Sequence, residues 1–362
     1  MKLLQILYPG LGGTSTVAFS IIDDLKKKNN SSINNFFIFY GVERLTKNNL
    51  QNCKKKKINF FFFLKSNFLI DTYRVYLKIK SIKPDYIITH SNSFFSLFLI
   101  KLLHKKNFYC VDHTPDEVRS FKEWVNLFLF TIFSSGMIYV SERNKNNKIF
   151  SVLKFFNSKF KIIRNGIDTN KFKRKKKILQ KKKIIIGMAA RFVKEKKQSL
   201  IIDTFINNKQ YFCEKNIALS FAGSGDLLNS QKKKVQENNL SSFIKFKGNL
   251  NEKNLIKWFN EIDIYFHLSD AETTSTAILQ ALSNSLPIYA SKVQGNIQIS
   301  KFIGKKYIKL ITNNKKSLKN AIMSLINNRN YFINISKLMK KNVNNKISLN
   351  NISKKYLDFI TS

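Results

Sequence analysis

The sequence predicts an α/β chain made of two halves of similar design, each a parallel sheet flanked by helices. Short apolar runs alternate with longer amphipathic segments, which is the pattern of stacked βα units. A run of like charges interrupts that pattern near its middle. The length of 362 residues suits two domains at roughly 150 residues each. With 43% apolar residues and only 12 Gly and 4 Pro, the chain can fill sizeable cores, which excludes a disordered or collagen-like polymer.

In the first half, strands are predicted at Lys2 to Tyr8, Phe36 to Tyr40, Ile58 to Phe63, Tyr86 to His90, Phe108 to Asp112 and Met137 to Val140, with helices between them. The stretch from Trp124 to Val140 is apolar but interrupted by Asn126, Thr131, Ser134, Ser135 and Gly136. It is short for a membrane span of about 20 residues and divides into a helix and a strand. Next comes Lys171-Phe-Lys-Arg-Lys-Lys-Lys177, then Lys181-Lys-Lys183. Like charges repel and stay solvated, so residues 171–183 read as a basic linker. A second series has strands at Ile184 to Met188, Ala218 to Ala222, Ile244 to Phe246, Asp263 to His267 and Pro287 to Ala290. The expected domains are residues 1–170 and 184–345, with 346–362 a C-terminal helix packing back on the first domain.

There are 64 Lys and Arg against 22 Asp and Glu, a net charge of +42. Such a balance invites a nucleic-acid reading. Only eight of the basic residues are Arg, the side chain suited to bidentate phosphate and base contacts. Lys, Asn, Ile and Phe are inflated together, so compositional drift with lysines on every polar face accounts for most of the charge, and no nucleic-acid partner is expected. Cys53, Cys110 and Cys213 are odd in number and widely spaced, which suggests neither a disulfide framework nor a zinc site and points to a reducing compartment. Met1 to Tyr8 is too short for the apolar region of a signal peptide, so a cytoplasmic location is expected.

Three segments hold candidate chemistry. The loop Pro9-Gly-Leu-Gly-Gly13-Thr-Ser-Thr16 follows the first strand and opens a helix to about Leu25. Gly12 and Gly13 let backbone amides approach an anion at that helix start, although a tight strand-to-helix turn needs the same residues. The loop is neither GxGxxG nor a P-loop. Arg191 leaves the end of the strand Ile184 to Met188, and Lys196 precedes a helix beginning near Ser199. Two cations there suit a diphosphate, or form a solvated cluster in so basic a chain. The third segment, Asp263 to Ala290, reads as strand, loop, helix, loop and strand, with Glu272 in the first loop and Gln280 in the helix.

With Arg191, Lys196 and Glu272 at strand ends of one domain, the spacing resembles glycosyltransferase family 4, retaining enzymes of GT-B fold. Further stretches agree. Lys83-Pro-Asp-Tyr-Ile-Ile-Thr-His90, His113 in Val111-Asp-His-Thr-Pro115, Val140-Ser-Glu142 and Ile163-Arg-Asn-Gly-Ile-Asp168 with Phe172 are similar to family elements, as are Gly223-Ser-Gly225-Asp-Leu227 and Ile244-Lys-Phe-Lys-Gly248. The resemblance implies a GT-B fold, two Rossmann-like domains facing across a cleft. It implies transfer of a hexose-type sugar, with retention, from a nucleoside diphosphate sugar to a surface glycan or lipid-linked acceptor of the lipopolysaccharide, capsule or exopolysaccharide type.

By the same resemblance, Arg191 and Lys196 hold the diphosphate and stabilise the leaving group without a metal. Glu272 accepts from sugar hydroxyls, and the amides of Thr273, Thr274, Ser275 and Thr276 meet the sugar and phosphate. His113 bonds to the donor sugar, while Gly12, Gly13 and the backbone at Asn249 and Leu250 face the nucleotide sugar. No cofactor is implied beyond the donor substrate. Two departures matter: Gln280 stands where the family has a second glutamate for the ribose, and Thr273-Thr-Ser275 replaces a Gly-aromatic-Gly. A non-catalytic GT-B relative and a nucleotide-sugar epimerase are the alternatives, with a basic nucleic-acid binder behind them.

The sequence contains no Asp-x-Asp, and His90, His104, His113 and His267 lack metal-ligand spacings, so no metal is expected. Lys54-Lys-Lys-Lys57 beside Ile58 to Leu64 combines cations with aromatics, as an anionic membrane surface would require, or forms a solvated loop and a buried strand. Residues 65–80 read as a core-packed helix.

Overall fold

In a computed structural model of the chain, the described residues are 1–10, 13–27, 33–90, 107–142, 159–174, 178–179, 183–349 and 352–362. They form two compact units, Met1–Gly166 with Leu349–Ser362, and Ile167–Ser348.

The first unit is built on a seven-stranded sheet. Its strands are β1 (Lys2–Leu7), β2 (Asn34–Gly41), β3 (Asn59–Leu64), β4 (Tyr86–Thr89), β5 (Phe108–Asp112), β6 (Gly136–Tyr139) and β7 (Phe160–Ile162), in the order β3-β2-β1-β4-β5-β6-β7. Every pairing is parallel. A parallel sheet is covered on both faces, so its inner strands are continuous apolar runs rather than alternating ones. All five residues of Phe108–Asp112 are buried. The apolar stretch at Trp124 divides into the helix Phe121–Phe133 and β6. Ser120 and Glu123 start that helix with a reciprocal capping box.

The second unit has a six-stranded parallel sheet. Its strands are β8 (Ile184–Ala189), β9 (Ile217–Ala222), β10 (Ile244–Phe246), β11 (Ile264–His267), β12 (Ile288–Ser291) and β13 (Ile308–Ile311), in the order β10-β9-β8-β11-β12-β13. In both units the order reverses beside the first strand, between β1 and β4 and between β8 and β11. At such a switch point the loops leaving the carboxyl ends diverge and open a crevice, which is where doubly wound sheets bind ligands.

The eleven strands expected from the sequence all form. β7 and β13 were not expected, and both are sheet edges. An edge strand is covered on fewer sides and tolerates a lysine, here Lys161 and Lys309, which breaks the apolar run that marks an inner strand.

The expected basic linker 171–183 is corrected by the structure. Phe172, Ile178 and Leu179 are buried in the core of the second unit. Leu179 N donates to Asp263 Oδ1 at 2.8 Å, and Arg329 Nε donates to Leu179 O at 2.7 Å. Charge runs alone suggested solvation, but the apolar residues Phe172, Ile178 and Leu179 dock on the second unit. The boundary falls instead at Gly166–Ile167, where Ile167 N donates to Ile347 O at 2.9 Å. At the other end the chain returns to the first unit at Leu349, and the helix Ile352–Thr361 buries Tyr356, Phe359 and Ile360 there beside Val17 and Ile21. Tyr109 OH donates to Ile360 O at 2.9 Å.

Candidate active site

At the carboxyl end of β8 the chain turns through Ala190 and Arg191 into a short 3₁₀ turn, Lys194–Lys196, and then the helix Gln198–Ile206. Gln198 is buried, and its Nε2 donates to Arg191 O at 2.7 Å, so the helix start holds the loop. Beneath the loop lie Gly223 and Gly225, with φ of +135° and +149°. A Cβ at Gly223 would fall 2.0 Å from Ala190 O, and one at Gly225 would fall 2.6 Å from Phe192 O. These two positions therefore require glycine, for backbone angle and for close approach alike. The Arg191 side chain is exposed at this strand end.

Across the switch point, β11 ends at His267 and leads to Glu272. Lys196 Nζ lies 2.5 Å from Glu272 Oε1 and 3.3 Å from Ser269 Oγ. His267 Nε2 lies 2.9 Å from the same Glu272 oxygen. Tyr265 OH, 3.3 Å from His267 Nδ1, also donates to Ala189 O at 3.2 Å, tying the imidazole to the end of β8. Burial by itself raises the Glu272 carboxyl, but His267 and Lys196 outweigh it and hold the group down at about 2. Glu272 is thus an ionised acceptor in a half-buried place, with its side chain 12% exposed.

Several bonds fix the Glu272 loop. Asp270 N donates to Glu195 O at 2.9 Å, and Lys197 pairs with Asp270 at 2.6 Å. Ser269 N donates to Ser291 Oγ at 2.9 Å, and Asn313 Nδ2 donates to Ser269 O at 3.0 Å, which joins the ends of β11, β12 and β13. Gly295, in the helix Gln294–Ile303, lies under the loop, where a Cβ would stand 2.0 Å from Thr273 O and 2.1 Å from Glu272 O. Gly295→Ala should therefore lift the loop, costing about 1–3 kcal/mol by overpacking. Chemical denaturation of the variant checks this, and an unchanged midpoint would show that the loop yields freely.

Thr273 is half-buried and Thr274 buried, and Ser275 caps the helix Thr276–Ser283 by accepting from Ile278 N at 3.4 Å. Gln280 lies in the second turn of that helix, 8% exposed. Asn249 and Leu250 follow β10. Their loop is tied to the glycine turn, since Gly223 N donates to Gly248 O at 2.7 Å. The structure thus brings Arg191, Lys196, Glu272, Thr273–Thr276 and Asn249–Leu250 to the carboxyl edge of one sheet, and joins Lys196 to Glu272 directly. His267, Tyr265, Gln198 and Gly295 were missed as site residues in the sequence. His267 was legible only as the last residue of a strand five positions before Glu272.

His113 belongs to the first unit, immediately after β5. Its Nε2 lies 3.1 Å from His90 Nδ1, and His90 Nε2 lies 2.9 Å from Gln5 Oε1. Gly13 opens the helix Gly13–Lys27, and Asn49 Nδ2 donates to Pro9 O at 3.1 Å. Gly12 lies outside the described residues. Among the described residues, no group of three or more His, Cys, Asp or Glu is arranged to hold a metal ion, and no helix is long and apolar enough to cross a membrane.

Two doubly wound parallel sheets, one in each unit, are the architecture of the GT-B fold. Comparison with solved structures agrees. HepE of Anabaena, in complex with UDP and glucose, aligns over 100% of both chains with a TM-score of 0.81 at 17% identity. A TarM mutant of S. aureus, in complex with Fondaparinux, alpha-GlcNAc-glycerol and UDP, aligns over 100% of both with a TM-score of 0.75 at 13% identity. Residues 169–346, just under half of the chain, match the family "Glycosyl transferases group 1". Protein CapJ of Staphylococcus aureus is 32% identical over 182 residues, 48% of this chain and 42% of CapJ. The match thus spans less than half of that relative's length.

Proposed function

We propose that the protein is a retaining, metal-independent glycosyltransferase that moves a hexose-type sugar from a nucleoside diphosphate sugar to a surface glycan or lipid-linked acceptor in polysaccharide biosynthesis, on the cytoplasmic side of a membrane. The observation that carries this reading is the Lys196–Glu272–His267 cluster at the switch point of the segment matched to the group 1 family. The UDP and glucose bound by HepE support a UDP-sugar donor.

In this reading Arg191 and Lys196 face the diphosphate, where negative charge grows as the bond to the sugar C1 breaks. Glu272, already ionised, accepts from sugar hydroxyls. The amides opening the helix at Thr276 add donors with no intrahelical partner. Gln280 offers the ribose one acceptor and two donors in place of a carboxylate, and His113 bonds to the donor sugar. Asn249 and Leu250 supply backbone groups to the base.

Thermal unfolding with UDP, GDP, ADP and CMP tests the site without an acceptor. At 100 times its Kd, a bound nucleotide adds about 2.7 kcal/mol of stability. At least one nucleoside diphosphate should raise the melting temperature, in about 0.3 M salt as in low salt, unlike polyanion binding. Arg191→Ala should reduce the gain. No shift with any nucleotide, or an undiminished shift in the variant, would remove the assignment. Full activity in EDTA is the expected result, and rescue by manganese or magnesium after its loss would contradict metal independence.

A surface feature favours attachment to an anionic membrane as a further part of this reading. The helix Phe68–Ile82 buries Val75, Ile79 and Ile82 but leaves Leu69 71%, Tyr73 60% and Leu77 45% exposed, with Arg74 and Lys80 beside them. Its one carboxylate, Asp71, is buried against Ser66 and Tyr40. The segment 65–80, read as a core-packed helix, packs one face on the core and leaves the other exposed. β3, the other candidate, is an edge strand with Phe61 and Phe63 packed against the core. Flotation should carry the protein with anionic vesicles and not with neutral ones, and Leu69→Ser with Leu77→Ser should weaken it. Equal flotation with both vesicles would sink the idea.

A further inference from the structure

We propose that Gln5 and His90 are positioning residues for His113, forming with it one hydrogen-bonded line that holds its ring and fixes which of its nitrogens carries the proton. The inference rests on the reading that His113 meets the donor sugar.

The line begins at an anomaly of the sequence. β1 reads Lys2-Leu-Leu-Gln-Ile-Leu7, and Gln5, fully buried among apolar neighbours, is at 0% exposure. An amide in such a place costs stability unless its hydrogen bonds are made. Only half of them are, because Oε1 faces His90 and Nε2 has no partner. Stability alone favours Leu or Val at this position, so the residue that stands there answers to something besides packing.

His90 follows β4, the strand next to β1 across the switch point, and its backbone N donates to Ile6 O at 2.9 Å. The ring is 4% exposed and so is held from both sides. Its neighbour, the His113 ring, comes from the end of β5, with centroids 5.4 Å apart and planes 27° apart. Three adjacent strands thus each supply one member, at depths running from the fully buried Gln5 to the partly exposed His113.

The direction of the protons follows from the acceptor at the buried end. An amide oxygen only accepts, so His90 carries a proton on Nε2. Two imidazoles in contact repel each other when both are charged, and burial disfavours the charged form further. Burial, and for His90 also the nearness of His113, keep His90 well below the ordinary histidine range, and burial brings His113 to about 4. A neutral His90 protonated on Nε2 has its lone pair on Nδ1, and His113 must donate to it from Nε2. His113 is then unprotonated on Nδ1, and a sugar hydroxyl meets a ring of fixed polarity.

Nitrogen-15 spectra of the full chain labelled at histidine report the tautomer directly, with His113→Asn assigning the signal. Wild type should show His113 protonated on Nε2 and not on Nδ1. Gln5→Leu, which keeps the volume and removes the acceptor, should give a mixture of tautomers, as should His90→Leu. His90→Gln should restore the wild-type signal, because its amide oxygen accepts from His113. In transfer assays the two Leu variants should lose about tenfold in kcat, with UDP-induced thermal stabilisation unchanged and His90→Gln recovering most of the rate. That split separates positioning from general loss of structure. A wild-type His113 protonated on Nδ1, or an unmoved tautomer in both Leu variants, would overturn the proposal. Full transfer activity in His113→Asn would instead overturn the reading of His113 itself, and the tautomer measurement would still decide the hydrogen-bonded line.

Discussion

Lys196→Ala should lower kcat/KM for glycosyl transfer about 10²- to 10³-fold, the loss typical when one preorganised donor to a developing negative charge is removed. Two effects combine. In the proposed reading the diphosphate loses a cation set at the switch point by the turn Lys194–Lys196, and in the structure Glu272 loses a partner at 2.5 Å. Because that partner helps to hold the carboxyl down at about 2, the variant should also show a Glu272 titration displaced upward. Steady-state kinetics over a range of donor concentrations decides the matter. A loss below about fivefold would mean that the leaving group is stabilised elsewhere.

Glu272→Gln should cost a similar factor, about 10² in kcat/KM, by replacing a charged acceptor with a neutral one in a half-buried place. The variant should also change the response to acid. A carboxyl held at about 2, against 4.5 ordinarily, contributes stability that is present above about pH 4.5 and is lost as pH falls through 2. The contribution is on the order of 3 kcal/mol at most. Wild type should therefore lose stability between pH 4.5 and 2 more steeply than Glu272→Gln does, and parallel curves would show that the Lys196 and His267 contacts do not bind the ionised form preferentially. Because Lys196 and Glu272 touch, the double variant should lose less than the two single losses combined.

Much of the frame was legible in the sequence because parallel strands are buried on both faces and leave continuous apolar runs. β8, β9 and β11 could be read from Ile184-Ile-Ile-Gly-Met188, Ala218-Leu-Ser-Phe-Ala222 and Ile264-Tyr-Phe-His267. Arg191 and Glu272 could be placed because each follows such a run within a few residues, and Lys196 because it precedes a helix. β7 and β13 could not, since an edge strand carries lysine and loses the pattern. The linker reading failed for the opposite reason: charge is visible residue by residue, whereas the docking of Ile178 and Leu179 depends on a surface made by distant residues such as Asp263 and Arg329.

By itself, then, the sequence determined the two-sheet α/β frame and the strand ends from which Arg191, Lys196 and Glu272 depart. The tertiary structure alone decided the partners: His267 and Lys196 on one oxygen of Glu272, Gly295 beneath its loop, and Gln5 behind His90 and His113. The physical reason is the sheet order. Strands β1, β4 and β5, and likewise β8 and β11, are neighbours in space but far apart in the chain, and local periodicity carries no record of which strand ends will meet.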